Sequence, residues 1–236
     1  MIAEVDTPPA PLVLVTGVGT GIGKTHFAEA LVRAWARRAP RVVGYKPIES
    51  GVEAGVPNDQ TALDRASTFH VKHHRVELGA PLSPHLAARR EGRPLDLPHI
   101  VEHVRTLCAS FDGVVVELAG GAFSPLDDAR TNADLVAMLA EPHPRARVVL
   151  VASDRLGVLH DVIASLRALA HGPTPLHVDG IVLQTPAHVD ASTGLNGDEL
   201  ARWASAPVTV VPRGAPHDDA VVTAAGEALR TLRVEP

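Results

Sequence analysis

Cysteine is nearly absent from this chain: Cys108 is the single one among 236 residues. An internal disulfide is therefore excluded, which suits a reducing compartment and gives cytoplasmic as the expected location. Aromatic residues are scarce as well, at 3%, so a core must be built from Leu, Val, Ile and Ala. No apolar run approaches membrane-spanning length. The start from Met1 to Pro11 is acidic and Pro-rich and lacks the basic and apolar stretches of a signal peptide; residues 1–11 are expected to be a flexible segment. There is no basic block and the net charge is -5, which argues against a general nucleic-acid binder. The remainder, 45% hydrophobic and 21% charged, is ordinary for a globular protein. Its length fits a single domain over residues 1–236.

What is present is concentrated in Val13-Leu14-Val15-Thr16-Gly17-Val18-Gly19-Thr20-Gly21-Ile22-Gly23-Lys24-Thr25. An apolar run, a glycine-rich turn and a helix-like pattern follow one another, as in a phosphate-binding P-loop. Bare backbone N–H groups and a helix N-terminus attract phosphate oxygens. Lys24 would reach the terminal phosphates and the Thr25 hydroxyl would hold Mg²⁺. The usual spacing asks for glycine at position 18, where Val18 stands, and Gly17 lies one residue further out. The loop thus carries one extra residue. A chance glycine-rich turn is disfavoured by the flanking strand and helix patterns.

Short apolar runs alternate with helix-like stretches along the rest of the chain. Leu12–Thr16, Arg41–Lys46, Val114–Leu118, Val148–Ala152, Gly180–Leu183 and Val208–Val211 are expected strands. They are apolar on both faces, as strands covered by helices on both sides are. Phe27, Leu31 and Trp35 form a stripe at helical spacing. Further helices are expected over Leu95–Cys108, Asn132–Leu139, His160–Ala170, Gly194–Ala204 and Asp218–Leu232, and a long loop over Ser50–Asn58. The alternation predicts an α/β fold of P-loop NTPase type: a mostly parallel, doubly wound sheet with helices on both faces. Ligands of such sheets bind beyond the carboxyl ends of the strands, where Lys46, Glu117, Gln184 and the P-loop all fall.

Three further segments carry candidate chemistry. Lys46, in Gly44-Tyr45-Lys46-Pro47 and followed by Ser50-Gly51, is either an exposed strand-end lysine or a cation pointing into the crevice. Asp59 is either a metal ligand or part of a helix cap. Glu117 ends an apolar strand, and a carboxylate there needs a cation partner; Mg²⁺ held by Thr25 is a natural one. Gly120 and Gly121 would let backbone approach a ligand.

Together these motifs resemble the ATP-dependent dethiobiotin synthetases of biotin synthesis, from Leu12 to about Pro212. Ser83-Pro84-His85, Glu91-Gly92-Arg93-Pro94, Ala119-Gly120-Gly121 and the Leu156-Gly157 turn belong to the likeness. The resemblance implies a ligase that uses ATP and Mg²⁺ to join CO₂ to 7,8-diaminononanoate and close the ring of dethiobiotin. It implies Lys24 and Lys46 as catalytic residues, Thr20 and Ser50 as substrate contacts, and Thr25, Asp59 and Glu117 as metal ligands. The implied nucleotide contacts are Gly21, Ile22, Gly23, Lys24, Thr25, His26, Asp59, Glu117, Leu118, Ala119, Gly120, Gln184, Thr185 and Pro212. It also implies a homodimer, with the substrate's carboxylate tail reaching the second subunit near Leu156–His160, and no nucleic-acid or membrane partner.

The chain departs from the family pattern at Gly19 and Gly21, where acidic residues are usual, and at Leu118, which replaces a glycine. Gln184-Thr185 stands for an adenine-reading Asn-Asp pair and His160 for an Asn. Two other readings compete. One is a related amide-forming ligase, weakened because no glutaminase segment with a reactive Cys is present. The other is a nucleotide-switched dimer like the partitioning ATPases, weakened because Gly17 to Ile22 contains no lysine. His70, His73 and His74 are expected on a solvated helix or loop, because no second ligand group with zinc-like spacing lies nearby. Cys108, Trp35 and Trp203 are expected to pack, and His85 to shape the substrate loop. Arg37-Arg38 and Arg89-Arg90 are expected at solvated helix ends.

Overall fold

Successive side chains of a strand point to opposite faces, so a strand apolar at every position must be covered twice. Leu12 and Leu14 of the first strand enter one buried cluster and Val13 and Val15 another. The computed structural model describes residues 9–234. The chain runs β1 (Leu12–Gly17), α1 (Lys24–Ala36), β2 (Val42–Tyr45), β3 (Ile48–Ser50), α2 (Asp59–Ala66), β4 (Val76–Leu78), α3 (Pro84–Glu91) and α4 (Leu97–Ser110). It continues through β5 (Gly113–Glu117), α5 (Asn132–Ala140), β6 (Ala146–Ser153), α6 (Val158–His171), β7 (Gly180–Gln184), α7 (Asn196–Trp203), β8 (Val208–Val211) and α8 (Asp219–Thr231).

Among the described residues, six strands pair in the order β2-β5-β1-β6-β7-β8, all parallel, and β3 and β4 form a separate parallel pair. The cluster holding Leu12, Leu14, Val114 and Val116 is covered by α4, α5, α6 and α7 through Ile100, Leu135, Val162 and Leu200. The opposite cluster is covered by α1, α2 and α8 through Phe27, Leu31, Trp35, Leu63, Val222 and Leu229. Each fully buried Leu or Val of this kind contributes about 1.5–3 kcal/mol. The fold is therefore the doubly wound α/β sheet that the apolar runs imply. β1 lies between β5 and β6, so the loop after β1 opens into the crevice where connections diverge to the two sides.

Register then aligns the functional strand ends. Val15 pairs with Glu117, Gly17 with Val151, and Ser153 with Gln184. The larger elements lie within two or three residues of their expected bounds. Four short ones, β3, β4, α2 and α3, are not among the expected elements. The Ser50–Asn58 loop is present between β3 and α2, and Asn58 caps α2 with a reciprocal Thr61 capping box.

Part of the expected N-terminal flexibility is corrected. Ala10 and Pro11 are buried, and the Ala10 N–H donates to the Cys108 carbonyl at 2.9 Å. Residues 1–8 lie outside the described residues. Among the latter, no helix is long and apolar enough to cross a membrane.

Candidate active site

The P-loop leaves β1 and re-enters regular structure at Gly23, whose φ of 91° is left-handed. A Cβ there would also lie 2.9 Å from Gln184 Cγ, so glycine is required twice over. α1 begins with no side-chain cap and no acidic residue in its first turn. Its N-terminal amide groups are therefore open to an anion. Lys24 is buried, and its Nζ donates to the Gly19 carbonyl at 2.7 Å. Burial pulls its pKa down from 10.5 to about 8, against the opposing pull of Glu117.

Lys46, at the end of β2, is buried rather than exposed. Its Nζ donates to Glu117 Oε1 at 2.7 Å and also to Asp59 Oδ2. Burial alone would lower its pKa, but Glu117 and Asp59 outweigh that and raise it. Thr25 Oγ1 donates to the same Glu117 oxygen at 2.8 Å. Glu117 is fully buried, and its Oε2 has no hydrogen-bond partner. The cation beside Glu117 is thus Lys46, and Asp59 joins them from the first turn of α2 while its neighbour Asn58 does the capping. The three oxygen-bearing residues Thr25, Asp59 and Glu117 suit Mg²⁺, which prefers oxygen ligands and is commonly held by one or two carboxylates plus substrate phosphates. The orphaned Glu117 oxygen fits such a guest. Among the described residues, no group of three or more His, Cys, Asp or Glu could hold a metal unaided.

Several residues that hold this cluster carry no motif. Gln60, almost fully buried, accepts the Lys46 N–H at 2.6 Å and donates to the Gly44 carbonyl at 3.1 Å. It thereby fixes the bend that turns Lys46 inward. Asn132 donates to the carbonyls of Ala119 and Gly121, and Ser124 Oγ accepts the Gly121 N–H at 2.9 Å. These bonds press the turn after β5 onto the P-loop: a Cβ at Gly121 would lie 3.2 Å from Gly19 backbone atoms. Glu49 Oε1 accepts the Asp59 N–H at 2.8 Å, and burial raises the Glu49 pKa. Polar residues buried at strand and helix starts are the signal that points to this group. It is visible only once burial is known.

Two cavities flank the P-loop. One, of about 430 Å³, is lined by Gly21, Ile22, Gly23, His26, Gln184, Thr185 and Arg213, among others. The other, of about 440 Å³, is lined by Thr20, Lys46, Glu49, Ser50, Asp59, Ala119 and Gly120, among others. Most expected site residues therefore meet at or between them. Of the expected residues, Lys24, Thr25, Glu117, Leu118 and Pro212 line neither cavity. The Leu118 side chain packs in the apolar core and its N–H donates to the Val15 carbonyl, because β5 continues its alternation one residue past Glu117. Pro212 lies behind Arg213 and Gly214, which line the first cavity in its place. The Thr185 hydroxyl is committed to the Val211 carbonyl at 3.0 Å, and His26 Nε2 lies 2.9 Å from the Gly214 carbonyl. Gln184 Nε2 is buried without a partner.

The histidine expectation holds for His70 and His74, which are exposed, and is corrected at His73. The His73 side chain is 2% exposed. Its ring stacks on Tyr45 at 4.9 Å, and its Nδ1 lies 3.2 Å from His103 Nε2. Burial, with His103 next, pulls its pKa down to about 4. The segment before β4 folds onto α4 through Tyr45, a long-range contact that local polarity does not reveal. Trp203 is also corrected: it is 66% exposed at the end of α7. Trp35 and Cys108 are buried, and burial pushes the Cys108 thiol up to about 12. His85 Nδ1 lies 3.1 Å from the Oγ of Ser83, which lines the second cavity, while His85 itself lines a separate one with Arg89 and Leu126.

Comparison with known proteins places this geometry. The model of an AAA domain family matches residues 12–213. An ATP-dependent dethiobiotin synthetase of Anaeromyxobacter dehalogenans (strain 2CP-1 / ATCC BAA-258) is 42% identical over 198 residues, covering 80% of this chain and 83% of its own. One from Rhodopirellula baltica (strain DSM 10527 / NCIMB 13988 / SH1) is 33% identical over 218 residues, covering 86% and 84%. The chain belongs to the dethiobiotin synthetase family. Among solved structures, a ParA family ATPase from Chlorobium tepidum TLS has a TM-score of 0.54 at 12% identity, covering 97% of this chain and 94% of that one. The MinC:MinD cell division complex of Aquifex aeolicus gives 0.52 at 13% identity, covering 95% of each. At these identities the likeness is one of fold, and the switch reading gains nothing from it.

Proposed function

We propose that this family member acts as a single-domain ligase that uses ATP and Mg²⁺ to convert 7,8-diaminononanoate and CO₂ into dethiobiotin, ADP and phosphate. The observation that carries the reading is the meeting of Lys46, Asp59, Glu117 and Thr25 at the wall of the second cavity, with Lys24 close enough to feel their charges. A nucleotide on the Gln184 side and a diamine on the Ser50 side would bring their reacting ends to that wall. An amine adds to CO₂, forming a C–N bond and losing a proton, to give a carbamate. A carbamate oxygen attacks the γ-phosphorus and the bond to the leaving ADP breaks. The second amine then attacks the carbonyl carbon, a proton leaves the nitrogen and phosphate departs. Such steps depend on positioning and charge stabilisation more than on covalent help.

Lys24 and Lys46 would supply that stabilisation, and Thr20 and Ser50 would orient the diamine and carbamate. The backbone of Gly21, Ile22 and Gly23 would cradle the phosphates, and His26, Gln184 and Thr185 would line the side toward the base. Thr25, Asp59 and Glu117 would hold Mg²⁺, which neutralises phosphate charge when bound. Lys46 holds both carboxylates by ion pairing and would align them for the metal. A homodimer in the cytoplasm fits this reading. Leu156, Val189 and Leu195 are 76%, 68% and 64% exposed, and Asp190 and Asp154 tie their loops together. That exposed apolar patch suits a second copy.

Purified protein with 7,8-diaminononanoate, bicarbonate, Mg²⁺ and ATP should yield dethiobiotin by mass spectrometry, with one phosphate per turnover. Folded protein that gives no dethiobiotin would overturn the reading.

A further inference from the structure

The second cavity is lined by two carboxylates, Glu49 and Asp59, and by one lysine, Lys46. Asp59 and Glu117 share Lys46, and Thr25 donates to Glu117. Glu49 lines the same cavity, yet among the described residues it makes no ion pair. Its Oε1 accepts the Asp59 N–H, whereas its Oε2 is shut from solvent and has no hydrogen-bond partner. A carboxylate oxygen in that position is costly until a donor reaches it. Besides Lys46, the side-chain donors of the neighbouring wall are the hydroxyls of Thr20, Ser50, Ser83 and Ser124. The P-loop contributes no acid, since Gly19 and Gly21 have no side chains.

We propose that Glu49 receives an ammonium group of the diamine and so selects for a dicationic head in this cavity. The inference rests on the ring-closure reading above. Two amines enter the cavity as cations. One loses a proton before adding CO₂ and becomes an anionic carbamate that the lysines attract; the other, still an ammonium, is repelled by them and is met by a carboxylate outside the Lys46 ion pairs. Glu49 is that carboxylate. The terminal torsion of a glutamate is broad, so Oε2 turns toward the cavity while Oε1 stays near the start of α2.

Glu49→Gln separates recognition from structure, because the amide oxygen still accepts the Asp59 N–H while the charge is gone. Titration calorimetry of the full chain with 7,8-diaminononanoate, and separately with ATP, reads the effect. The diamine Kd should rise about tenfold or more, with ATP binding and thermal midpoint unchanged. In turnover the KM for the diamine should rise while that for ATP stays, and Glu49→Asp should recover part of the loss. A variant that binds diamine like the wild type, or that loses ATP affinity equally, overturns the proposal. Wild-type turnover with an indifferent Glu49→Gln refutes this inference alone. A wild type that neither binds the diamine nor makes dethiobiotin refutes both.

Discussion

The two cavities beside the P-loop are nearly equal in volume and opposite in chemistry. The one reached from Gln184 is walled by P-loop backbone, the Gln184 amide, the hydroxyl residues Ser153 and Thr185 and the His26 ring, with exposed Arg213 as its one Lys, Arg, Asp or Glu. The one reached from Ser50 holds Lys46 and Glu49, both buried, with Asp59 half-exposed. Size does not distinguish them, and buried charge does. Charges are kept out of water only where something offsets the cost. The charged cavity is therefore where reaction is expected, and the neutral one where a base is held.

Substitutions should break this contrast in a graded way. Lys46→Gln removes the cation shared by two carboxylates. It should lower kcat by about 10²–10³-fold or more with little change in nucleotide affinity, and persistent ring closure would remove Lys46 from catalysis. The same change should cost about 3–5 kcal/mol of stability, since the buried Glu117 carboxylate loses its cation; denaturant unfolding measures it. Glu117→Gln should raise the Mg²⁺ concentration needed for half-maximal rate by about tenfold or more, and an unchanged Mg²⁺ titration excludes it from the metal shell. On the neutral side, Gln184→Ala should raise the KM for ATP by about tenfold or less and leave the diamine KM alone. If it shifts the diamine instead, the two cavities do not divide the substrates.

Protonation gives the smallest and sharpest comparison. Lys24 titrates in the folded protein near 8 rather than 10.5, so the unfolded chain binds the extra proton between those values. Its contribution to stability should therefore rise with pH from about 8 to 10.5, and Lys24→Met should flatten that slope in unfolding curves. His73, pulled to about 4 from 6.5, has the same sign at lower pH. Stability should fall as pH drops from 6.5 toward 4, and less so in His73→Phe.

Much of the first framework was legible because it repeats a strong local signal. Runs apolar on both faces mark the central strands, and a lysine or carboxylate at the end of such a run is conspicuous. Lys46, Glu117 and Gln184 stood out for that reason. Gln60, Asn132 and Glu49 did not. Each is an ordinary polar residue in sequence, and its weight comes from being buried against a strand end many residues away. The short pair β3 and β4 and the helices α2 and α3 escaped for a related reason: elements this brief are held by tertiary contacts rather than by their own periodicity.

The sequence by itself determined that a parallel sheet would carry a P-loop and that its strand ends would bear the reactive groups. Those outcomes follow from hydrophobic alternation and from the backbone needs of a phosphate-binding turn. Only the tertiary structure decided that Lys46 would lie between Asp59 and Glu117, that Leu118 would turn into the core, and that Glu49 would keep one oxygen without a partner. Which charges neutralise one another depends on distances across strands. Burial raises the energetic weight of every such pairing, and burial belongs to the fold and not to any one stretch of chain.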